Sequence, residues 1–257
     1  LIIDTPLMIS HLSFACISPE AQLALARASS ETGTAIGSGS SGFFPETMQA
    51  ARKFILEYVP NQYGISTENL QKAAAIEIKF GLSASPGLGE VLPAKSITEE
   101  MGRELGLPPG LDLLSPSRFP DIQSPESLKD KIDWLREASN GKPIGVKLAA
   151  GHIEADLEFA LQAGPDFVTI DGRPGGIYNA SKFIKLATSL PTIYALAKAR
   201  KFLDRNHADG VSLIITGGLR ISPDFAKALA LGADAVAIAT SALIALGCRQ
   251  DRLCTTG

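Results

Sequence analysis

The sequence predicts an α/β protein, a (β/α)8 barrel, on three observations. Short apolar, β-branched runs alternate with helical patterns along the chain, and eight such runs can be counted. Strands of this kind pair in parallel and are buried on both faces. No Gly-x-Gly-x-x-Gly follows a first strand to open a helix, which counts against the alternative, an open doubly wound sheet.

The expected strands are Leu7–Ser10, Gly33–Ile36, Ala75–Phe80, Leu111–Ser115, Ile144–Leu148, Phe167–Asp171, Val211–Thr216 and Ala235–Ala239. Helical patterns fill most of the intervals: Pro19–Ser30, Pro45–Tyr58, Thr98–Leu105, Pro125–Ala138, Ile153–Ala163, Phe183–Asn206 and Pro223–Leu231. Three helices open on Ser-Pro (Ser18-Pro19, Ser124-Pro125, Ser222-Pro223). Serine caps the free N–H groups there, and proline costs nothing where no N–H bond is made.

Composition narrows the classes. At 257 residues the chain can build its core without staples, and barrels of this length are single domains. We therefore expect one domain over 1–257. The absence of an initial Met and the stop at Gly257 read as part of a longer chain, truncated at both ends. With 24 Lys+Arg against 27 Asp+Glu, the basic footprint that nucleic acid requires is missing. No apolar run reaches membrane-spanning length. Three cysteines are too few for a disulfide scaffold. With no secretory pattern in Leu1–Ser10, they suit a reducing, cytoplasmic setting.

In a barrel the strand C-termini carry the site. The predicted seventh strand ends in Thr216-Gly217-Gly218, and the eighth ends at Ala239-Thr240. Loops after those two strands often bind phosphate, since glycine lets backbone N–H groups approach an anion. A simple tight turn is the other reading. Asp171-Gly172-Arg173-Pro174-Gly175-Gly176 forms a second flexible loop on the same face, able to close over a cofactor or be a plain loop. Lys147 interrupts the apolar run Ile144–Leu148, and Glu77 and Lys79 share one face of theirs. Such charges point into a polar cavity, snorkel outward, or form a structural ion pair. An inward Lys147 near a flavin would stabilise negative charge on the reduced ring. Cys248 and Cys254 alone are two thiols at a spacing that is weak evidence for iron–sulfur ligation, and Cys16 reads as a core residue. The three histidines share no metal spacing, and no Gly-x-Ser-x-Gly elbow occurs.

Many short motifs, taken in order, resemble the FMN-binding central domain of glutamate synthase and its single-domain relatives. They include Ile9-Ser10-His11-Leu12-Ser13-Phe14, Gly64-Ile65-Ser66, Ile76-Glu77-Ile78-Lys79, Pro86-Gly87-Leu88-Gly89, Leu113-Leu114-Ser115-Pro116, Val146-Lys147-Leu148, Thr216-Gly217-Gly218 and Ala242–Cys248. The resemblance covers nearly the whole chain. It implies a (β/α)8 barrel with FMN at its C-terminal face and an FMN-dependent oxidoreductase acting on CH–NH2 donors. That enzyme would reduce the imine formed from a 2-oxo acid, 2-oxoglutarate or an analogue, with ammonia or an amine. It also implies an electron donor (ferredoxin or an NAD(P)H subunit), a separate glutaminase supplying ammonia, and a 3Fe–4S cluster on a Cys-x5-Cys-x4-Cys run. Cys248 and Cys254 match the first two positions of that run.

Carried onto this sequence, the resemblance places the FMN phosphate at Gly217, Gly218, Ala239 and Thr240. It puts Lys147 at the pyrimidine side of the ring, Ser13 and Glu77 against the ring, and Asp171, Gly175 and Gly176 in the covering loop. Lys79 orients the substrate or the reacting nitrogen. The substrate half departs. Where the family usually has Gln, Lys and Glu, this sequence has Leu82, Ser85 and Leu88, and where it has Gln and Arg there stand Val91 and Leu105. The usual His-His before Asp-Ile is Phe119-Pro120, and the usual Gly-Glu-Gly-Gly loop is Gly37-Ser38-Gly39-Ser40. Arg118 or Arg173 is the expected replacement for a carboxylate clamp, because a guanidinium fork suits one. Two alternatives stand beside this reading: an FMN-free isomerase or aldolase on a phosphorylated substrate, and a degenerate, non-catalytic FMN subunit.

Overall fold

The computed structural model describes residues 1–12, 17–81, 90–108, 110–176 and 182–251. Its strands are β1 (Leu7–Ile9), β2 (Ile36–Gly37), β3 (Phe54–Tyr58), β4 (Ala75–Lys79), β5 (Glu90–Leu92), β6 (Leu113–Ser115), β7 (Ile144–Ala149), β8 (Phe167–Asp171), β9 (Ser212–Thr216) and β10 (Ala235–Ile238). Its helices are α1 (Pro19–Glu31), α2 (Pro45–Ala50), α3 (Thr67–Lys72), α4 (Glu99–Leu105), α5 (Pro125–Ala138), α6 (Ile153–Leu161), α7 (Lys182–Thr188), α8 (Thr192–Arg205), α9 (Ser222–Ala230) and α10 (Thr240–Ala245). Eight strands close a parallel barrel in the order β1-β2-β3-β4-β7-β8-β9-β10, and β10 returns to β1. The (β/α)8 expectation holds. Among the described residues, no helix is long and apolar enough to cross a membrane.

Two elements differ from the expectation, and they exchange places. The run Pro45–Tyr58 is not one helix: α2 stops at Ala50, Ala51 is extended, and Phe54–Tyr58 is the third barrel strand. All five of its residues are buried, as a strand covered on both faces requires. Periodicity does not separate such a run from a buried helical turn. Leu111–Ser115, expected in the barrel, yields only the three-residue β6, which pairs antiparallel with β5 outside it. Leu113 is buried and Leu114 exposed, the alternation of a sheet covered on one side. This two-stranded sheet and α4 pack with Phe44, the N-cap of α2, in a small core of Phe44, Leu92, Met101 and Leu113.

The expectation also lacks α3, β5 and α10, and the remaining differences are shifted ends and one divided helix. The span Phe183–Asn206 splits into α7 and α8 at Pro191, which has no N–H to continue a helix and biases its predecessor away from the helical region. Ser18 and Ser124 cap α1 and α5 as expected. In α9 the helix already begins at Ser222, and Asp224 accepts from the Arg220 and Ile221 N–H groups. The Phe119-Pro120 position, read as a departure from a His pair, is an aromatic plug. Phe119 is buried and stacks on Tyr58 at 5.7 Å, with Phe80 edge-on at 5.5 Å.

Register separates the two faces of the barrel wall. Ile55 pairs with Ala75, Glu57 with Glu77, Lys79 with Lys147, Lys147 with Thr169 and Asp171 with Thr216. These residues share the inner face, since alternate residues of a strand point the same way. The N-terminal end of the interior is apolar and separate from the outer core, built of Met8, Ile55, Ala75, Phe167, Ile214 and Ala237 among others. The Phe167 ring fills it across Gly145, where any Cβ would lie 2.1 Å from the ring. Above this floor the inner face turns polar.

Candidate active site

The polar layer is built by strand alternation. Two residues after Ile55 comes Glu57; two after Ala75 comes Glu77, then Lys79; two after Gly145 comes Lys147; two after Phe167 comes Thr169, then Asp171. All six are buried. His11, two residues past β1, lies over Gly37 of β2, where a Cβ would fall 2.2 Å from Nδ1. The imidazole therefore occupies space that only glycine leaves open.

Glu57 is the hub. One of its oxygens, Oε1, lies 3.5 Å from Lys147 Nζ and 3.8 Å from His11 Nδ1. The other, Oε2, lies 3.7 Å from Lys79 Nζ and has no partner at hydrogen-bonding distance among the described residues. Glu77 Oε2 lies 2.7 Å from His11 Nε2, and the Thr169 hydroxyl donates to Glu77 Oε1. The Gly39 N–H points at His11 Nδ1 at 3.3 Å, and Nε2 on the other side of the ring faces Glu77.

Burial alone pushes the Glu57 carboxyl up. His11, Lys79 and Lys147 outweigh it and bring the group down to about 2. Burial also pushes Glu77 up, and the hydrogen bond from His11, the charge of Lys147 and the Thr169 hydroxyl more than reverse it. Both carboxylates are thus ionised at neutral pH. A carboxyl depressed in the folded state contributes stability above its unfolded value and loses it as pH falls toward the folded value. The urea midpoint is therefore expected to drop between about pH 5 and about pH 2, and to drop less in Glu57→Gln. An equal pH slope in the two proteins would refute this assignment.

The expected phosphate loop lies at the adjoining strand ends, since Thr216 pairs with Ala237. Gly217 and Gly218 both have positive φ, 109° and 75°. A Cβ on Gly217 would sit 2.7 Å from the Gly172 carbonyl oxygen, and the Gly217 carbonyl accepts from the Thr192 hydroxyl. The loops after β8 and β9 are interlocked, and Gly172 N–H donates to the Thr216 carbonyl. Asp171 is buried, its carboxylate filling the space where Gly175 lacks a Cβ. Gly176 follows with positive φ. Ala239 and Thr240 stand where β10 passes into α10.

The structure thus gathers Glu77, Lys79 and Lys147 into one cluster and brings the ends of β8, β9 and β10 together. The proposed clamps are not gathered in this way. Arg118 is exposed beyond β6, and Arg173 Nε donates to the Ser189 carbonyl at 2.7 Å. Ser13, Cys16 and Cys254 lie outside the described residues, as do Leu82, Ser85 and Leu88. Cys248 is exposed at the end of the α10 region, and its N–H donates to the Leu243 carbonyl. Sequence reasoning missed Glu57 and His11 as site residues. Glu57 carried a usable signal, a carboxylate inside a five-residue apolar run.

The whole chain, residues 1–257, matches the family described as "Conserved region in glutamate synthase". The chain belongs to the glutamate synthase family. Two relatives in that family are the "Archaeal glutamate synthase [NADPH]" of Archaeoglobus fulgidus, 39% identical over 258 residues, and that of Methanocaldococcus jannaschii, 38% identical. Each alignment covers 99% of this chain and 50% or 51% of the relative. The chain therefore spans about half the length of these glutamate synthases. Among solved structures, a mandelate oxidase mutant described with a monooxide FMN adduct superposes with a TM-score of 0.62 at 18% identity, covering 99% of this chain and 71% of that one. That likeness shows the barrel fold.

Proposed function

We propose that this domain binds FMN at the C-terminal mouth of the barrel and serves an oxidoreductase that reduces the imine of a 2-oxo acid with ammonia or an amine. Membership of the glutamate synthase family along the full chain carries the reading. The residues present fit such a cofactor. A turn of two glycines with positive φ offers backbone N–H groups that carry no side chain of their own, near Ala239 and Thr240 just past the end of the next strand. Buried ammonium groups stand in the layer below.

In this reading Gly217, Gly218, Ala239 and Thr240 hold the phosphate, and Asp171, Gly175 and Gly176 cover the bound group. Lys147 and Glu77 face the ring with Ser13, and FMN supplies the hydride chemistry. Lys79 orients the reacting nitrogen, its ammonium held in place by Glu57. The apolar floor excludes water from below. Electrons from ferredoxin or an NAD(P)H subunit, ammonia from a glutaminase, and a 3Fe–4S cluster with Cys248 and Cys254 as two of its ligands belong to the same proposal.

The test is an absorption spectrum of the purified protein, with the cofactor released by denaturation identified by mass. A flavin spectrum and free FMN are expected. A colourless protein that takes up no added FMN would overturn the reading and leave Gly217-Gly218 to some other phosphate.

A further inference from the structure

The charged layer also bears on how readily the bound flavin gives up hydride. Glu57 and Lys147 meet across the inner wall, with Glu57 Oε1 3.5 Å from Lys147 Nζ and both side chains buried. The register explains the meeting. Glu57, Glu77 and Gly145 are level along the wall, and Lys147 stands one inward-facing step nearer the mouth. Gly145 carries no side chain of its own at the level of the two carboxylates. Glu57 is ionised at neutral pH, so the lysine assigned to the ring has a negative charge directly behind it.

The oxidised flavin ring takes up two electrons and one proton, which leaves a negative charge on its pyrimidine side. Passing that hydride to the imine carbon restores the neutral ring, and a proton on the imine nitrogen completes the amine. An ammonium beside the ring favours the reduced form and holds the hydride back. A carboxylate 3.5 Å from that ammonium opposes it, and away from bulk water the opposition is strong. We propose that Glu57 is a positioning residue that acts through Lys147 to hold down the two-electron potential of the bound FMN, making the domain a better hydride donor than the lysine alone would allow.

The inference rests on the reading of Lys147 as facing FMN. The two fail differently: a colourless protein removes that reading, whereas a bound flavin indifferent to Glu57 removes only this inference. The test is the midpoint potential of the FMN-loaded protein, read against a reference dye at neutral pH. Glu57→Gln keeps the shape of the side chain and removes its charge. The ratio of reduced to oxidised flavin at a fixed solution potential is expected to rise at least about tenfold, an upward shift of about 30 mV for a two-electron couple. Every other residue is common to the two proteins, so the difference reports Glu57. Lys147→Gln is expected to shift the potential the other way, whereas simple loosening of the site would move both variants in one direction. An unchanged or lowered potential in Glu57→Gln, or shifts of the same sign in the two variants, would overturn the proposal. So would a folded Glu57→Gln that takes up no FMN, since the carboxylate would then serve binding. If Glu57→Gln does not fold, the double variant Glu57→Gln, Lys79→Met measured against Lys79→Met decides by the same criterion.

Discussion

Glu57→Leu is expected to destabilise the protein by about 3–5 kcal/mol, read as a shift in the urea unfolding midpoint at neutral pH. The side chain is 1% exposed, and its carboxylate is the shared counter-ion of Lys79 and Lys147. Removing it leaves two ammonium groups inside the barrel with their shared counter-ion gone. Breaking a buried pair costs more than the pair is worth, because the orphaned charge bears its full desolvation. The triple variant Glu57→Leu, Lys79→Met, Lys147→Met removes all three charges at once. It is expected to lie within about 1 kcal/mol of the unaltered protein or above it, since well-packed apolar groups replace buried ions without loss. A single variant costing under about 1 kcal/mol, or a triple no better than the single, would show that the three groups do not act as a unit.

Gly217→Ala carries the second large effect. The residue sits at φ 109°, which L side chains rarely adopt, and the new methyl would lie 2.7 Å from the Gly172 carbonyl oxygen and 2.9 Å from its nitrogen. The obstacle is backbone, so no rotamer change relieves it. Strain of this kind costs about 1–3 kcal/mol, and the loop after β8 must shift with it. The variant is expected to lose FMN on gel filtration as well as stability. Gly210→Ala is the control: a Cβ there meets nothing within 4 Å, and the change is expected to be neutral or slightly stabilising. Retention of flavin by Gly217→Ala at the level of the control would remove this turn from the cofactor site.

The barrel and part of the site were legible because the relevant signals are local. Lys147 in an apolar run, and Glu77 with Lys79 on one face of another, announce an inward polar layer by alternation alone. Glu57 carries the same signal in Phe54–Tyr58. It went unread because the run follows the helical start at Pro45, and a buried strand and a buried helical turn look alike over five residues. The consequence was a barrel of eight with one wrong member, Leu111–Ser115 in place of Phe54–Tyr58. His11 was beyond sequence reasoning for a different reason. Its role depends on Gly37 leaving room for its ring and on Glu77 lying 2.7 Å away on another strand, both long-range facts. The aromatic replacement at Phe119 was visible as a departure, but its pairing with Tyr58 needed the fold.

The apolar floor under the charged layer makes the barrel a cup rather than a pipe. Among the described residues the base is apolar, so the dipoles and ions set in the wall have an apolar medium below them. Their field is screened weakly downward and opens toward the mouth. Substitutions in the floor, such as at Phe167, therefore change more than packing. A leak at the base would admit water beneath Glu57 and Glu77, soften the field that holds both ionised, and give the vessel a second opening.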